Sequence, residues 1–208
     1  IDEFRKMHPE HSFLPHMPVF KMDRSTTKCR IVYLSNLCES GQNQQKSLSH
    51  NQVIYSGPSL NQKLTTALLQ LRFGEKLLCY DLKKAFLQIA LNSVDSNRLL
   101  FLWHRDVSKF DFTIVAYRSL RLAFGLRCSP TILMLALYKM LCLDAVNDVA
   151  DLRELKRTLY ALIYMNNGAY TGTSEQVRWA FEQLESIFNP YQFQIQQVVT
   201  NELSIQLE

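Results

Sequence analysis

Leu162-Ile163-Tyr164-Met165-Asn166-Asn167-Gly168 is the stretch whose reading decides the fold. An apolar run from Leu159 to Met165 leads into it, and Ala169 to Thr173 follows. Asn and Gly tolerate positive φ, and a turn of such residues between two apolar arms is a short-range hairpin signal. The stretch predicts a β-hairpin with Asn166 and Asn167 in its turn, and locally it requires nothing more.

Two upstream segments bear on what that turn faces. In Leu77-Leu78-Cys79-Tyr80-Asp81-Leu82-Lys83-Lys84-Ala85-Phe86, apolar and aromatic residues run into one acid, and a short helical stretch follows. An acid at the end of a buried strand is costly unless a metal or cation pairs with it. The bland alternative is an Asp that caps the next helix. In Leu122-Ala123-Phe124-Gly125-Leu126-Arg127-Cys128-Ser129-Pro130, Ser129 suits an N-cap and Pro130 the first helical position, where its missing N–H does no harm. Taken alone, this is an ordinary loop and helix start.

The remaining elements alternate between strands and helices. Residues 1–16 read as extended or irregular, broken by Pro9 and Pro15, and a hairpin follows over 17–34. The polar stretch 39–52 reads as a loop. Leu60, Leu64, Leu68 and Leu71 have helical spacing that Gly74 ends. Strands are predicted at 76–81, 98–104 and 111–117. A helix over 130–143, apolar nearly all round, is predicted to be fully buried. Thr173-x-x-Gln176 is a capping box for a helix with Val177, Phe181, Leu184 and Phe188 on one face. Asn189-Pro190 ends that helix, and a last strand runs over 192–199.

The chain has 208 residues and a net charge of +4, enough to bury a core and too mildly basic to point to nucleic acid by charge alone. The distribution says more: Lys21, Arg24, Lys28 and Arg30 face one acid, Asp23, and Arg118, Arg121 and Arg127 cluster near the third motif. Such patches suit phosphate contacts, although a solvated hairpin face has the same composition. The five cysteines, Cys29, Cys38, Cys79, Cys128 and Cys142, are scattered without a C-x-x-C pair, which predicts reduced thiols in an intracellular setting. His8, His11 and His16 lack accompanying Cys and are interrupted by prolines, so a loop is the expected reading rather than a metal cluster. No apolar run approaches a membrane span, no signal peptide opens the chain, and the first residue, Ile1, suggests a fragment or processed product.

In order and spacing, these segments and the strands around Pro18-Val19-Phe20-Lys21 and Thr27-Lys28-Cys29-Arg30-Ile31-Val32 resemble the fingers and palm of retroelement reverse transcriptases. They are most similar to the Pol proteins of BEL/Pao-type long-terminal-repeat retrotransposons. The resemblance runs from about residue 13 onward. It implies an α+β fold: a right-hand polymerase palm, an antiparallel sheet backed by helices, with an N-terminal fingers hairpin and no thumb after Glu208. Residues 1–75 would form the fingers-like segment with its extension, and 76–208 the palm, with further fingers elements around 95–118.

The resemblance also implies the chemistry. In the family, the counterpart of Asp81 and the first acid of a Tyr-x-Asp-Asp turn hold two Mg²⁺ ions, which activate the primer 3′-hydroxyl and stabilise charge at phosphorus. Here Asn166 and Asn167 match the two turn acids, so Asp81, Asn166 and Asn167 are the expected catalytic positions and Asp81 and Asn166 the expected metal ligands. An amide brings no negative charge. Replacing a carboxylate removes roughly several kcal/mol of attraction for a divalent ion at an effective dielectric near ~20. Metal occupancy and turnover should fall by orders of magnitude.

Other roles follow from the same likeness. Lys28 and Arg30 match bases that close over the triphosphate, where a guanidinium suits bidentate recognition. Phe86 matches the bulky residue under the sugar of the incoming nucleotide that excludes a 2′-hydroxyl, although a core aromatic is an equal reading of the local sequence, and Ala85 and Phe86 match backbone N–H contacts to the triphosphate. Gly125, Ser129 and Pro130 match the loop near the nascent base pair, Gly allowing close backbone approach. Arg127, Tyr164 and Met165 match nucleic-acid contacts. No Lys lies within 188–199, and Leu34 stands where relatives carry an acid.

The expected partners are an RNA or DNA template with primer and deoxynucleoside triphosphates, with no membrane, in cytoplasm, nucleus or a retroelement particle. Three readings remain open: an RNA-directed DNA polymerase module impaired at Asn166, a host-adopted scaffold that binds nucleic acid or protein without catalysis, and an unrelated α+β domain.

Overall fold

A computed structural model describes residues 13–20, 22, 29–38 and 48–205. Lys28 lies outside the described residues, as do Lys21, Asp23, Arg24, Thr27, His8, His11 and most of the polar stretch 39–52. The fold is mixed α+β with small antiparallel sheets. Its described residues fall into two compact units, one from Ile1–Gly57 and Ile89–Ser129, the other from Pro58–Gln88 and Pro130–Glu208. Each unit is thus assembled from two separate stretches of chain.

The first unit holds two antiparallel pairs. Strand β1 (His16–Phe20) pairs with β2 (Cys29–Tyr33), His16 opposite Tyr33 and Phe20 opposite Cys29, in accord with the expected hairpin. After the short helix α1 (His50–Val53) and, later in the chain, α4 (Ser93–Ser96), β4 (Leu100–Asp106) pairs with β5 (Asp111–Arg118). Helix α1 was missed within a stretch read as loop, although Ser49-x-x-Gln52 carries its capping box. Leu14, Leu99, Ala123 and Leu126 form the core, with Tyr33, Ile54, Leu91 and Cys128 packed against it. His16 sits among rings, 5.3 Å from Trp103 and 5.7 Å from Phe101 between centroids. Expected in a loop, His16 instead begins β1 and packs in an aromatic cluster.

In the second unit, helix α2 (Leu64–Gln70) precedes β3 (Lys76–Leu82). Leu64 and Leu68 are each about half exposed, so the apolar spacing marks the helix without marking a buried face. Strand β3 is the centre of a three-stranded sheet, flanked by β6 (Asn167–Gly172) and β7 (Ile195–Thr200), both antiparallel to it. Its alternation has period two: Leu78, Tyr80 and Leu82 are buried, and Leu77, Cys79 and Asp81 lie on the opposite, less covered face. Helix α7 (Ser174–Phe188), started by the predicted Thr173/Gln176 capping box, buries Val177, Ala180, Leu184, Ile187 and Phe188, and the Phe188 ring lies 5.5 Å from that of Tyr80.

Two expectations for this unit need correction. Residues 159–161 are not a strand but the end of helix α6 (Ala150–Ala161). Leu155, Lys156 and Leu159 are its buried residues, and Lys156 is tolerated there because its ammonium reaches the Asp148 carboxylate at 2.7 Å. A lysine on the inward face broke the apolar pattern, so only the last apolar residues stood out and they were read as a strand. The second concerns the helix over 130–143. It runs as α5 (Ser129–Tyr138), a π-helical turn (Lys139–Leu143) and a 3₁₀ turn (Asp144–Asn147). Leu133, Met134, Leu137, Met140 and Leu141 are buried, but Leu135 and Leu143 are about half exposed, so burial is one-sided. Contrary to the expectation that no apolar run approaches a membrane span, the run Ser129–Asn147 is by length and composition alone apolar and long enough to cross one.

Candidate functional site

Asp81 stands at the end of β3, half buried, opposite Asn167 in the register with β6. Directly before β6 the chain makes a tight turn over residues 164–167, closed from both sides: Tyr164 N–H donates to the Asn167 carbonyl at 2.8 Å and Asn167 N–H to the Tyr164 carbonyl at 3.1 Å. The expected hairpin is therefore reduced to one bridge at the turn, Tyr164 with Asn167, and its first arm is helix α6 and a short connection. Its two central residues are Met165 and Asn166, not the expected Asn166 and Asn167, because Asn167 already begins β6; Met165 has φ 60°. Positive φ at the first central position and not at the second, Asn166, separates type II′ from type I′. The left-handed residue is thus Met165 rather than an Asn or Gly, an unfavourable conformation for a long side chain that the surrounding hydrogen bonds hold.

Gly168 serves a different need. It faces Tyr80 across the ladder, and a Cβ built on it would fall 2.0 Å from the Tyr80 ring carbon Cζ. The glycine makes room for the Tyr80 ring. The Tyr80 hydroxyl is buried without a hydrogen-bond partner, and burial pushes its pKa far above the ordinary phenol value.

The turn is fixed to the acid-bearing strand. Leu82 N–H donates to the Asn166 carbonyl at 2.8 Å, and the Asn166 Nδ2 amide donates to Asp81 Oδ1. A carboxylate only accepts, so the amide must present its NH₂ to it. The Asn166 Oδ1 is then approached by Asn167 Nδ2 at 3.5 Å, a long contact. Tyr164 is about half exposed and Met165 half buried beside them. On the other side of Asp81, Lys84 takes φ 49° before the short helix α3 (Ala85–Gln88), in which Ala85 and Phe86 are buried, Phe86 at 8 % exposure. The structure therefore brings Asp81, Asn166 and Asn167 together, with Tyr164 and Met165 in the same turn.

This donor set does not fit a pair of Mg²⁺ ions. One carboxylate is present, its Oδ1 is engaged by an amide N–H, and no three His, Cys, Asp or Glu side chains gather anywhere among the described residues. Mg²⁺ sheds water reluctantly and needs an anionic oxygen set to do so.

The expected residues of the first unit have their own arrangement. Arg30 is exposed on β2 opposite Val19. Asn51 organises the loop around Gly125: its Nδ2 donates to the Gly125 carbonyl at 2.9 Å and to Asn36 Oδ1 at 2.8 Å, and its Oδ1 accepts the Arg127 N–H at 2.8 Å. Arg127 Nη1 also reaches the Asn51 carbonyl at 3.4 Å, leaving an exposed guanidinium oriented from within the unit. Gly125 has φ 93°, and a Cβ there would lie 2.6 Å from the Tyr33 carbonyl oxygen. Its close backbone approach is thus to strand β2. Ser129, read as an N-cap, instead donates its buried hydroxyl to the Ala123 carbonyl at 2.7 Å, tying the helix start back to the preceding loop. Pro130 follows at the second position of α5. Asn51 was missed because it sits in a polar stretch read as loop, and no local pattern announces a side chain that bridges more than 70 residues.

A comparison with known protein families gives no match, and a comparison with curated proteins gives none either.

Proposed function

We propose that the chain is a reverse-transcriptase-type fingers and palm module of the retroelement Pol kind, with primer–template nucleic acid as its partner and polymerisation impaired at Asn166. The observation that carries this reading is the juxtaposition of Asp81, at the end of a central antiparallel strand, with a tight Tyr-Met-Asn-Asn turn on the neighbouring strand. Two-ion phosphoryl transfer calls for acids at such a strand end and turn. The exposed Arg30 and Arg127 add cations suited to phosphates.

A second reading, a scaffold adopted for nucleic-acid binding without catalysis, is favoured by one detail: the Asp81 carboxylate is engaged by an amide. Two measurements test these readings. Binding of a primer–template duplex should be weak, indifferent to sequence and steeply weakened between low and moderate salt, as counterion release requires. Affinity that stays flat with salt would remove the nucleic-acid partner from both readings. Single-nucleotide incorporation with Mg²⁺ should be absent from the unchanged chain, and Asn166→Asp should restore more of it than Asn167→Asp. Robust Mg²⁺-dependent extension by the unchanged chain would show that other acids hold the ions. Recovery by the double variant Asn166→Asp, Asn167→Asp would favour a silenced enzyme over a scaffold.

A further inference from the structure

We propose that Asn166 and Asn167 together turn the Asp81 strand end into a metal-independent polar clasp: an amide relay supplies the N–H that Asp81 Oδ1 accepts, and this relay, with no cation, joins β3 to the turn before β6. The relay has a direction. Asn167 Nδ2 points at Asn166 Oδ1, and Asn166 Nδ2 donates to Asp81 Oδ1, so one oxygen of Asn166 and one of Asp81 each face an amide N–H donor. The backbone reinforces it, because Leu82 N–H reaches the carbonyl of the same Asn166.

Three acids in these places could not form such a series. Ionised carboxylates have no donor, and clustered like charges need a cation between them. Three acids with divalent ions between them, or one acid and two amides, are thus alternative solutions to one local problem. The residues here belong to the second. Asn166 is then a positioning residue that fixes the turn, and Met165 is held at φ 60° between the two bonds that Tyr164 and Asn167 exchange. The inference rests on the turn and strand geometry, so a failure of primer–template binding would overturn the proposed function and leave the clasp untouched.

The test is thermal unfolding of the chain and four variants in EDTA and in millimolar Mg²⁺ or Mn²⁺. The unchanged chain should melt at the same temperature in all three. Asn166→Asp should melt lower in EDTA, by roughly 2–8 °C for a loss of about 1–2 kcal/mol in a chain of this size, and should recover when Mn²⁺ is added. Asn167→Asp, which loses only the long contact, should fall less. Asp81→Asn should stay near the unchanged chain, because an amide oxygen accepts the same N–H. The exchange Asp81→Asn, Asn166→Asp reverses donor and acceptor and should regain in EDTA most of what Asn166→Asp loses. This keeps the test decisive if the single variant does not fold. A melting temperature of the unchanged chain that rises with Mg²⁺ would overturn the proposal, and so would an exchange variant no more stable than Asn166→Asp.

Discussion

At the scale of single residues, the second unit depends on a side chain and a missing side chain that face each other. Tyr80 lies in the sheet opposite Gly168, whose Cα occupies the space over the ring. Gly168→Ala should cost at least ~2 kcal/mol by overpacking, measured by denaturant unfolding, and Tyr80→Leu in the same chain should recover part of the loss. If Gly168→Ala unfolds like the unchanged chain, the close approach is not a constraint. The Tyr80 hydroxyl is buried with no partner. Tyr80→Phe removes an unsatisfied group and should raise stability by about 1 kcal/mol, and a fall of that size would reveal a hydrogen bond. The glycine was legible in the sequence as a turn residue, but its reason was not. Spacing can suggest a hairpin, whereas an aromatic ring on the partner strand is a contact between residues 88 positions apart.

At the scale of elements, what could be read was whatever is encoded locally. Strands β3, β4 and β5, the capping box of α7 and the apolar face of that helix follow from residues within a few positions of one another. What could not be read depends on distant partners. Helix α6 places Lys156 inward because Asp148 receives it, and without that pairing its sequence looks like a polar stretch followed by a strand. Asn51 is a second such case, as its amide holds together loops from residues 36, 125 and 127. Asn51→Ala should destabilise the first unit by about 2 kcal/mol through lost and unpaired hydrogen bonds. Hydrogen exchange should quicken at the Arg127 amide while the β3 amides of the second unit keep their protection. Equal quickening in both would mean that Asn51 acts on more than its own loop. The candidate site was legible as a trio, Asp81 with Asn166 and Asn167. The amide relay was not, since it depends on which way each amide points.

At the scale of the whole molecule, acid should reveal how the last strand is anchored. Glu202, 6 % exposed, accepts hydrogen bonds from the Ser174 hydroxyl and from the Ser204 hydroxyl and backbone, and Lys76 lies 3.6 Å away. These donors, Ser174 first, bring its pKa down to about 2. A carboxylate depressed in the folded state stabilises above its unfolded pKa, and that contribution is lost as pH falls through the folded value. Stability should therefore decline from about pH 4.5 toward pH 2, and Glu202→Gln should be less stable at neutral pH with a shallower decline. Parallel acid profiles for the two proteins would show that Glu202 does not carry this part of the curve.

The position of β3 has a further consequence for how the chain comes to fold while it is being made. Both strands that flank β3 are C-terminal to it: the bond from Asn166 to Asp81 spans 85 residues and that from Thr200 to Leu77 spans 123. When β3 leaves the ribosome, neither of its hydrogen-bonding edges has a partner, and the buried face of Leu78, Tyr80 and Leu82 has no helix to cover it. At about 5–20 residues added per second, that interval lasts from several seconds to about half a minute. The strand that carries the acid is thus open to mispairing during synthesis, and a holding chaperone would be expected to grip it.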